Sequence, residues 1–309
     1  MKIRTKRFGI VTAVSVAVVI MLIMTIVSAV NLNDRSAMTL TAHGFTPTVI
    51  ETTADKQIVG TRDGRVICKT YEDETLWEYR LESEGALRDI VADGGELLCV
   101  TAETKEFFVL DEEGAFLGKV GLSYEPVAIA ADAEHAVIYT KLKTKNQMVV
   151  FSRSGNSTDL GSAKKSANDL PEFSNIEMTD SGMVFALGAD ATPYRFDTEN
   201  VSASPEEIFT VTNEELIYMI ASGENYLAVT KDGKFVEYDG AGKVLSRVGG
   251  GERFVSVSSD GGRIVALSNR NDISYFDGNR VYKVDTGIQV SKIMVAEQGV
   301  FLIDKSDNI

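Results

Sequence analysis

Histidine, cysteine, tryptophan and proline are all scarce in this 309-residue chain, at two, two, one and five residues. Each scarcity excludes something. His43 and His135 stand alone, so no His-x-x-x-His or Cys-His cluster exists to hold zinc. A Ser-His-Asp arrangement has few places to form, and no Gly-x-Ser-x-Gly occurs. Nor is there an Asp-x-Asp-x-Asp-Gly loop for calcium. Past residue 45 no long stretch combines helical periodicity with caps. Basic charge is also short. With Lys2, Arg4, Lys6 and Arg7 set aside, 27 basic residues face 45 acidic ones. Such a surface repels nucleic acid and anionic headgroups.

The two cysteines lie in apolar runs, Cys68 in "RVICKT" and Cys99 in "ELLCVT". Outside the cytoplasm they could pair. Two buried free thiols are the other reading.

One long apolar run is present. Phe8 to Val30 is 23 residues without a charge. As a helix it spans about 35 Å, enough to cross a bilayer. Four basic residues precede it, while Asp34 and Arg35 cancel just after it. The positive-inside bias then predicts a cytoplasmic tail at 1–7, a transmembrane helix or uncleaved signal anchor at 8–30, and an extracytoplasmic remainder. Cleavage after Ala29 is the rival reading, but the run is longer than a usual signal-peptide core of roughly 7–15 residues.

From residue 45 onward the apolar runs are short, rich in Val, Ile, Phe and Tyr, and bounded by Gly, Asp or Asn. That is a strand pattern. The runs recur in order: a first strand, a polar turn, a very apolar second strand, a turn, a third strand, an acidic or Gly turn, and a weak fourth strand. Residues 90–120, 219–248 and 256–284 each show it. The polar residues closing the third strands are Asp111, Ser152, Asp197, Asp239 and Asp277, spaced 41, 45, 42 and 38 apart. A period near forty with four short strands per unit is that of a β-propeller blade.

"VGTRDGRVICKTYEDETLWEY", Val59 to Tyr79, is the clearest copy. It resembles the repeat of quinoprotein-like (PQQ-repeat-like) propellers: strand, Asp-Gly turn, strand, acidic turn, then Leu-Trp-x-Tyr. At fold level the resemblance covers residues 45–309. The layout also resembles that of uncharacterised bacterial proteins with one membrane helix and an extracytoplasmic propeller. Quinoprotein dehydrogenases imply a tryptophan platform, adjacent cysteines and a calcium ion. Here Trp77 falls on an outer strand and Cys68 and Cys99 are not adjacent, so no cofactor is expected. Trp77 is expected to pack between neighbouring blades.

The reading is therefore an all-β propeller of seven four-stranded blades over 45–309, preceded by one transmembrane helix and a linker at 31–44. First strands begin near Thr48, Arg88, Val127, Asn175, Ile217, Val255 and Lys292. The seventh unit stops after its second strand, as in a chain cut short. "AMTLTAHGF" (37–45) is a candidate ring-closing strand.

In propellers the loops entering each first strand line one mouth of the channel. Here those entries carry Arg88, Asp89, Glu125, Glu172, Glu214, Glu215, Arg253 and Lys292. Both signs are present, as in a partner or ligand face. No catalytic, metal or cofactor residue is assigned. The expected function is a non-catalytic protein-binding or scaffold module at the cell envelope, with an envelope protein or a polysaccharide as partner. The alternatives are a carbohydrate-active hydrolase or lyase using channel-mouth carboxylates, and a ligand-sensing ectodomain.

Overall fold

The computed structural model describes residues 46–304, except 83–84, 144, 155–156, 169, 180–181, 201–203, 213, 260–261, 277–279, 286–288 and 297–298. The segment expected to cross the membrane and the expected ring-closing strand lie outside the described residues. Among the described residues no helix is long and apolar enough to cross a membrane.

Six four-stranded antiparallel sheets follow one another along the chain, at 47–80, 87–121, 125–168, 173–207, 216–249 and 254–285. Within each, strands pair in chain order. A seventh sheet has two strands, Val290–Ala296 and Gly299–Asp304. The domain is thus an all-β propeller of six full blades plus this two-stranded sheet. Its first strand packs Val290 and Ile293 against Val265, Leu267 and Ile273 of blade 6. Met294 and Ile303 pack against Ile50 and Val59 of blade 1. The ring therefore closes through a sheet half the usual width.

Burial follows from the stacking. The second strand of a blade is covered on both faces, so it reads as a continuous apolar run; Glu96–Thr101 is buried at every position. Fourth strands sit at the rim and alternate exposed with half-buried, as in Thr75–Arg80 and Phe116–Gly121. Each pair of neighbouring blades shares its own apolar seam. Ile58, Val66 and Cys68 of blade 1 meet Leu87, Ile90, Cys99 and Phe108 of blade 2. Cys68 and Cys99 are free, buried thiols in that one cluster. Trp77 packs against it too, and its indole N–H donates to the Glu112 carbonyl of blade 2 at 3.0 Å.

The recurring acidic positions are turn chemistry. Asp111 Oδ1 accepts from the N–H groups of Glu113 and Ala115 at 3.0 and 2.7 Å. Asp239 Oδ1 does the same for Ala241 and Lys243 at 3.0 and 2.9 Å. A short carboxylate that caps its own turn gives the sequence its forty-residue beat. In the turn after the second strand of blade 1, the Thr61 hydroxyl donates to Asp63 at 2.7 Å and accepts from the Arg65 N–H at 2.8 Å. Gly64 follows at φ 79°, the left-handed conformation this hairpin needs.

Candidate functional site

The first strands of the blades lie side by side around the axis. Every one carries a register shift at its entry. In blade 2 Leu87 pairs with Thr101 and Asp89 with Val100, so Arg88 is skipped. The same bulge skips Thr48, Val127, Ser174, Ile217, Val255 and Ser291 in the other sheets. A bulge inserts one unpaired residue and re-aims its side chain. The seven bulged residues therefore form one rim at the mouth where the first strands begin.

In blades 2, 4 and 6 and in the seventh sheet, the residue after the bulge reaches the next blade. Asp89 Oδ2 accepts from the Ile129 N–H of blade 3 at 2.9 Å, while Oδ1 takes its neighbour Ile90 N–H at 3.1 Å. Asn175 donates to the Met219 carbonyl of blade 5 at 2.9 Å. Ser256 accepts from the Ile293 N–H of the seventh sheet at 3.3 Å. Lys292 closes the circle, donating to the Thr48 carbonyl of blade 1 at 2.9 Å. Two residues further on the pattern repeats: Glu177 accepts from Ala221 N–H at 3.1 Å and Ser258 from Val295 N–H at 2.9 Å. The axis is thus lined by two tiers of hydrogen bonds that satisfy first-strand backbone groups the sheets leave open.

Electrostatics concentrate at the same place. Burial pushes the Asp89 carboxyl up to about 6, against the pull of its two N–H donors and of Lys292 and Arg88. Desolvation lowers the Lys292 ammonium; Asp89 opposes that shift and Arg88 adds to it. Burial also pushes the Tyr218 hydroxyl up to about 12, and that hydroxyl meets Ser259 Oγ of blade 6 at 2.9 Å.

Of the eight residues expected at the mouth, the structure brings Arg88, Asp89 and Lys292 into one electrostatic group. Arg253 and Glu125 are exposed at the entries of blades 6 and 3. Glu172 pairs with Lys141, and Glu215 with Lys231 at 2.6 Å. Glu214 turns toward its own blade, where it accepts from the Tyr238 hydroxyl and pairs with Arg247, both at 2.8 Å.

Sequence reasoning missed two mouth residues. Ile217 and Val255 are large apolar side chains, 36% and 59% exposed, on the bulges of adjacent blades 5 and 6. Away from the mouth, one further group of ligating side chains lies at the opposite ends of blades 3 and 4: Glu134, His135 and Glu199.

The fold has solved counterparts. The β-propeller domain of Cps50 (Swd1) from Myceliophteria thermophila superposes with a TM-score of 0.66 at 12% identity, covering 87% of this chain and 96% of that one. The Pan2 WD40 domain of Neurospora crassa gives 0.64 at 13% identity, over 86% and 88% of the two chains. BamB from Moraxella catarrhalis gives 0.53 at 12% identity, over 84% and 79%. At such identities the likeness is one of fold. No family model and no curated protein matches the chain.

Proposed function

We propose that this protein is a membrane-anchored, extracytoplasmic propeller that works as a non-catalytic binding module, holding an envelope protein or polysaccharide against the mouth formed by its first-strand bulges. The observation that carries this reading is the make-up of that rim. Adjacent bulges expose Ile217 and Val255, while Arg88 and the desolvated Lys292 supply positive charge on the same mouth. Exposed apolar side chains and an exposed arginine on one rigid ring are the composition of a protein-contacting surface. A protein is therefore the favoured partner.

The anchor at residues 8–30 remains a sequence reading. It would keep the module at the membrane and raise its local concentration there. A photo-crosslinking amino acid at Val255 should capture a discrete membrane-associated protein, while one at Leu245 on the outer strand of blade 5 should not. Capture from position 245 alone would overturn the assignment of the face.

One observation favours the enzymatic alternative: the raised Asp89 carboxyl at the mouth of the channel. Against it, both Asp89 oxygens are engaged by backbone N–H groups. If the alternative holds, Asp89→Asn abolishes release of reducing ends from an envelope polysaccharide that the unmodified protein cleaves.

A further inference from the structure

First strands begin at the mouth, so the turns that follow them lie on the opposite face. On that face a cavity of about 140 Å³ opens at the seam between blades 1 and 2. One side of it is the turn after the first strand of blade 1, closed by the Thr53 N–H donating to the Lys56 carbonyl at 2.9 Å. Ile58, Cys68 and Leu97, none more than 4% exposed, form an apolar floor. Trp77, the cross-strand neighbour of Cys68, supplies a half-buried wall. Its indole N–H is drawn across the seam to the Glu112 carbonyl of blade 2. Gly114 permits that approach, because a Cβ there would stand 2.5 Å from the ring.

The rim is charged. Asp55 and Glu112 are exposed and Lys56 is half-buried, so the cavity meets solvent past two carboxylates and one ammonium. Among the described residues these three form no salt bridge. The two charges of blade 1 act on the space inside. Burial pushes the Cys68 thiol up, Lys56 pulls it down, and Asp55 adds to the rise.

The ligand chemistry follows from this layout. Water gains little on an apolar floor, and a dry cavity of about 150 Å³ takes up a benzene ring. An indole wall favours a ring or a compact branched chain packed on it. The rim asks for more than a hydrocarbon, since a cation and two carboxylates share one opening. A ligand with an anion and a cation close together answers both. A free α-amino acid carries that pair on one carbon, with its side chain directed away from them.

We infer that this cavity binds a free α-amino acid with a compact apolar side chain, of the phenylalanine or leucine kind. The side chain seats on Ile58, Cys68 and Leu97 against Trp77. The carboxylate meets Lys56, and the ammonium meets Asp55 and Glu112. A segment within a peptide is a poorer occupant, because its amides carry neither charge. The site is separate from the mouth, so it stands or falls apart from the function proposed there.

Trp77 is the only tryptophan in the chain, so its fluorescence reads the cavity directly. The test titrates L-phenylalanine and L-leucine into the purified full chain, with calorimetry alongside. The inference expects saturable one-to-one binding of at least one of them. For the amino acid that binds, the analogue without the ammonium (3-phenylpropionate or 4-methylpentanoate) should bind at least about tenfold more weakly. The analogue without the carboxylate (2-phenylethylamine or 3-methylbutylamine) should lose as much, and the N-acetyl amide should not saturate. Lys56→Gln should weaken the amino acid at least about fivefold and leave the amine analogue unchanged. Asp55→Asn combined with Glu112→Gln should weaken the amino acid and leave the acid analogue unchanged. All three changes are at solvent-facing positions of turns, so the variants should fold. No saturable binding of either amino acid overturns the inference. So does equal binding of the N-acetyl amide, or undiminished amino-acid binding in the rim variants.

Discussion

Arg153 is the side chain whose loss should hurt this fold most. It ends the third strand of blade 3 and its side chain is completely buried, at 0% exposure. The guanidinium reaches into blade 2. It pairs with the Asp93 carboxylate, donates to the Asp93 carbonyl at 2.9 Å and to the Asp132 carbonyl, and lies 3.5 Å from Glu96 Oε2. Its Nε donates to the Thr158 hydroxyl at 3.2 Å, and that hydroxyl in turn donates to Glu96 at 2.7 Å. Glu96 is itself 5% exposed. Arg153→Ala leaves that carboxylate buried without its cation and strands two carbonyls. Breaking a buried pair from one side costs about 3–5 kcal/mol, a large part of the ~5–15 kcal/mol that holds a domain together. With a urea slope of about 3 kcal/mol/M, the unfolding midpoint falls by roughly 1–1.7 M. Adding Glu96→Gln to the alanine variant removes the uncompensated charge and should restore at least about 1 kcal/mol. Arg153→Lys should recover less than half, since a point charge cannot fork to the same acceptors. A loss below about 1 kcal/mol, or no recovery in the double variant, would refute the reasoning.

Other consequences follow from particular residues. Asp89 has its carboxyl raised to about 6 by burial, so the folded state holds a proton there that the unfolded state releases near the ordinary aspartate value of 3.8. The native state then binds more protons between those values, and the penalty for ionising Asp89 grows as pH rises through them. Asp89→Asn should therefore gain relative stability, roughly 1–3 kcal/mol, between pH 4 and pH 7 in urea melts; a flat difference would contradict the burial argument. A Cβ at Gly114, which has φ 81°, would stand 2.5 Å from two ring atoms of Trp77. Gly114→Ala should cost about 1–3 kcal/mol and shift the emission of the chain's single tryptophan to the red. If the anchor and its orientation are as read, protease added to intact cells should digest the propeller, and full protection would reverse the orientation.

Much of the fold was legible because a blade writes itself locally. The second strand is apolar because it is covered on both sides, and the turn aspartates cap their own loops. In blade 1 the strand expected after the Asp-Gly turn lies at Arg65–Thr70. Blade 4 was harder. Its outer strand is two residues, Glu206–Glu207, with no apolar side chain to mark it. Six of the seven expected blades have four strands, and the last, expected to show only its first two, is a two-stranded sheet.

The site was less legible, for two physical reasons. A bulge changes the face a residue shows without leaving a mark in hydrophobicity. Ile217 and Val255 were read only as the starts of first strands, and the register shift turns them to solvent. The important polar contacts also cross between blades. Arg153 in "FSRSG" looks like any charged residue near a turn, and its partners Asp93 and Glu96 lie about one and a half repeats earlier. His135 was read as a lone histidine before a strand because Glu199 is 64 residues away. Conversely, Glu172 and Glu215 looked available for a partner but sit in ion pairs with Lys141 and Lys231.

The central claim is that the bulged mouth, not the outer strands, contacts the partner. The direct measurement is an affinity capture from solubilised membranes with three variants: Arg88→Glu, Val255→Asp and, on the outer strand, Leu245→Asp. Leu245 is 49% exposed and Val255 59%, so each change should leave the fold intact. The account predicts that the first two lose the captured protein while Leu245→Asp retains it. Retention by both mouth variants, with loss in Leu245→Asp, would contradict it.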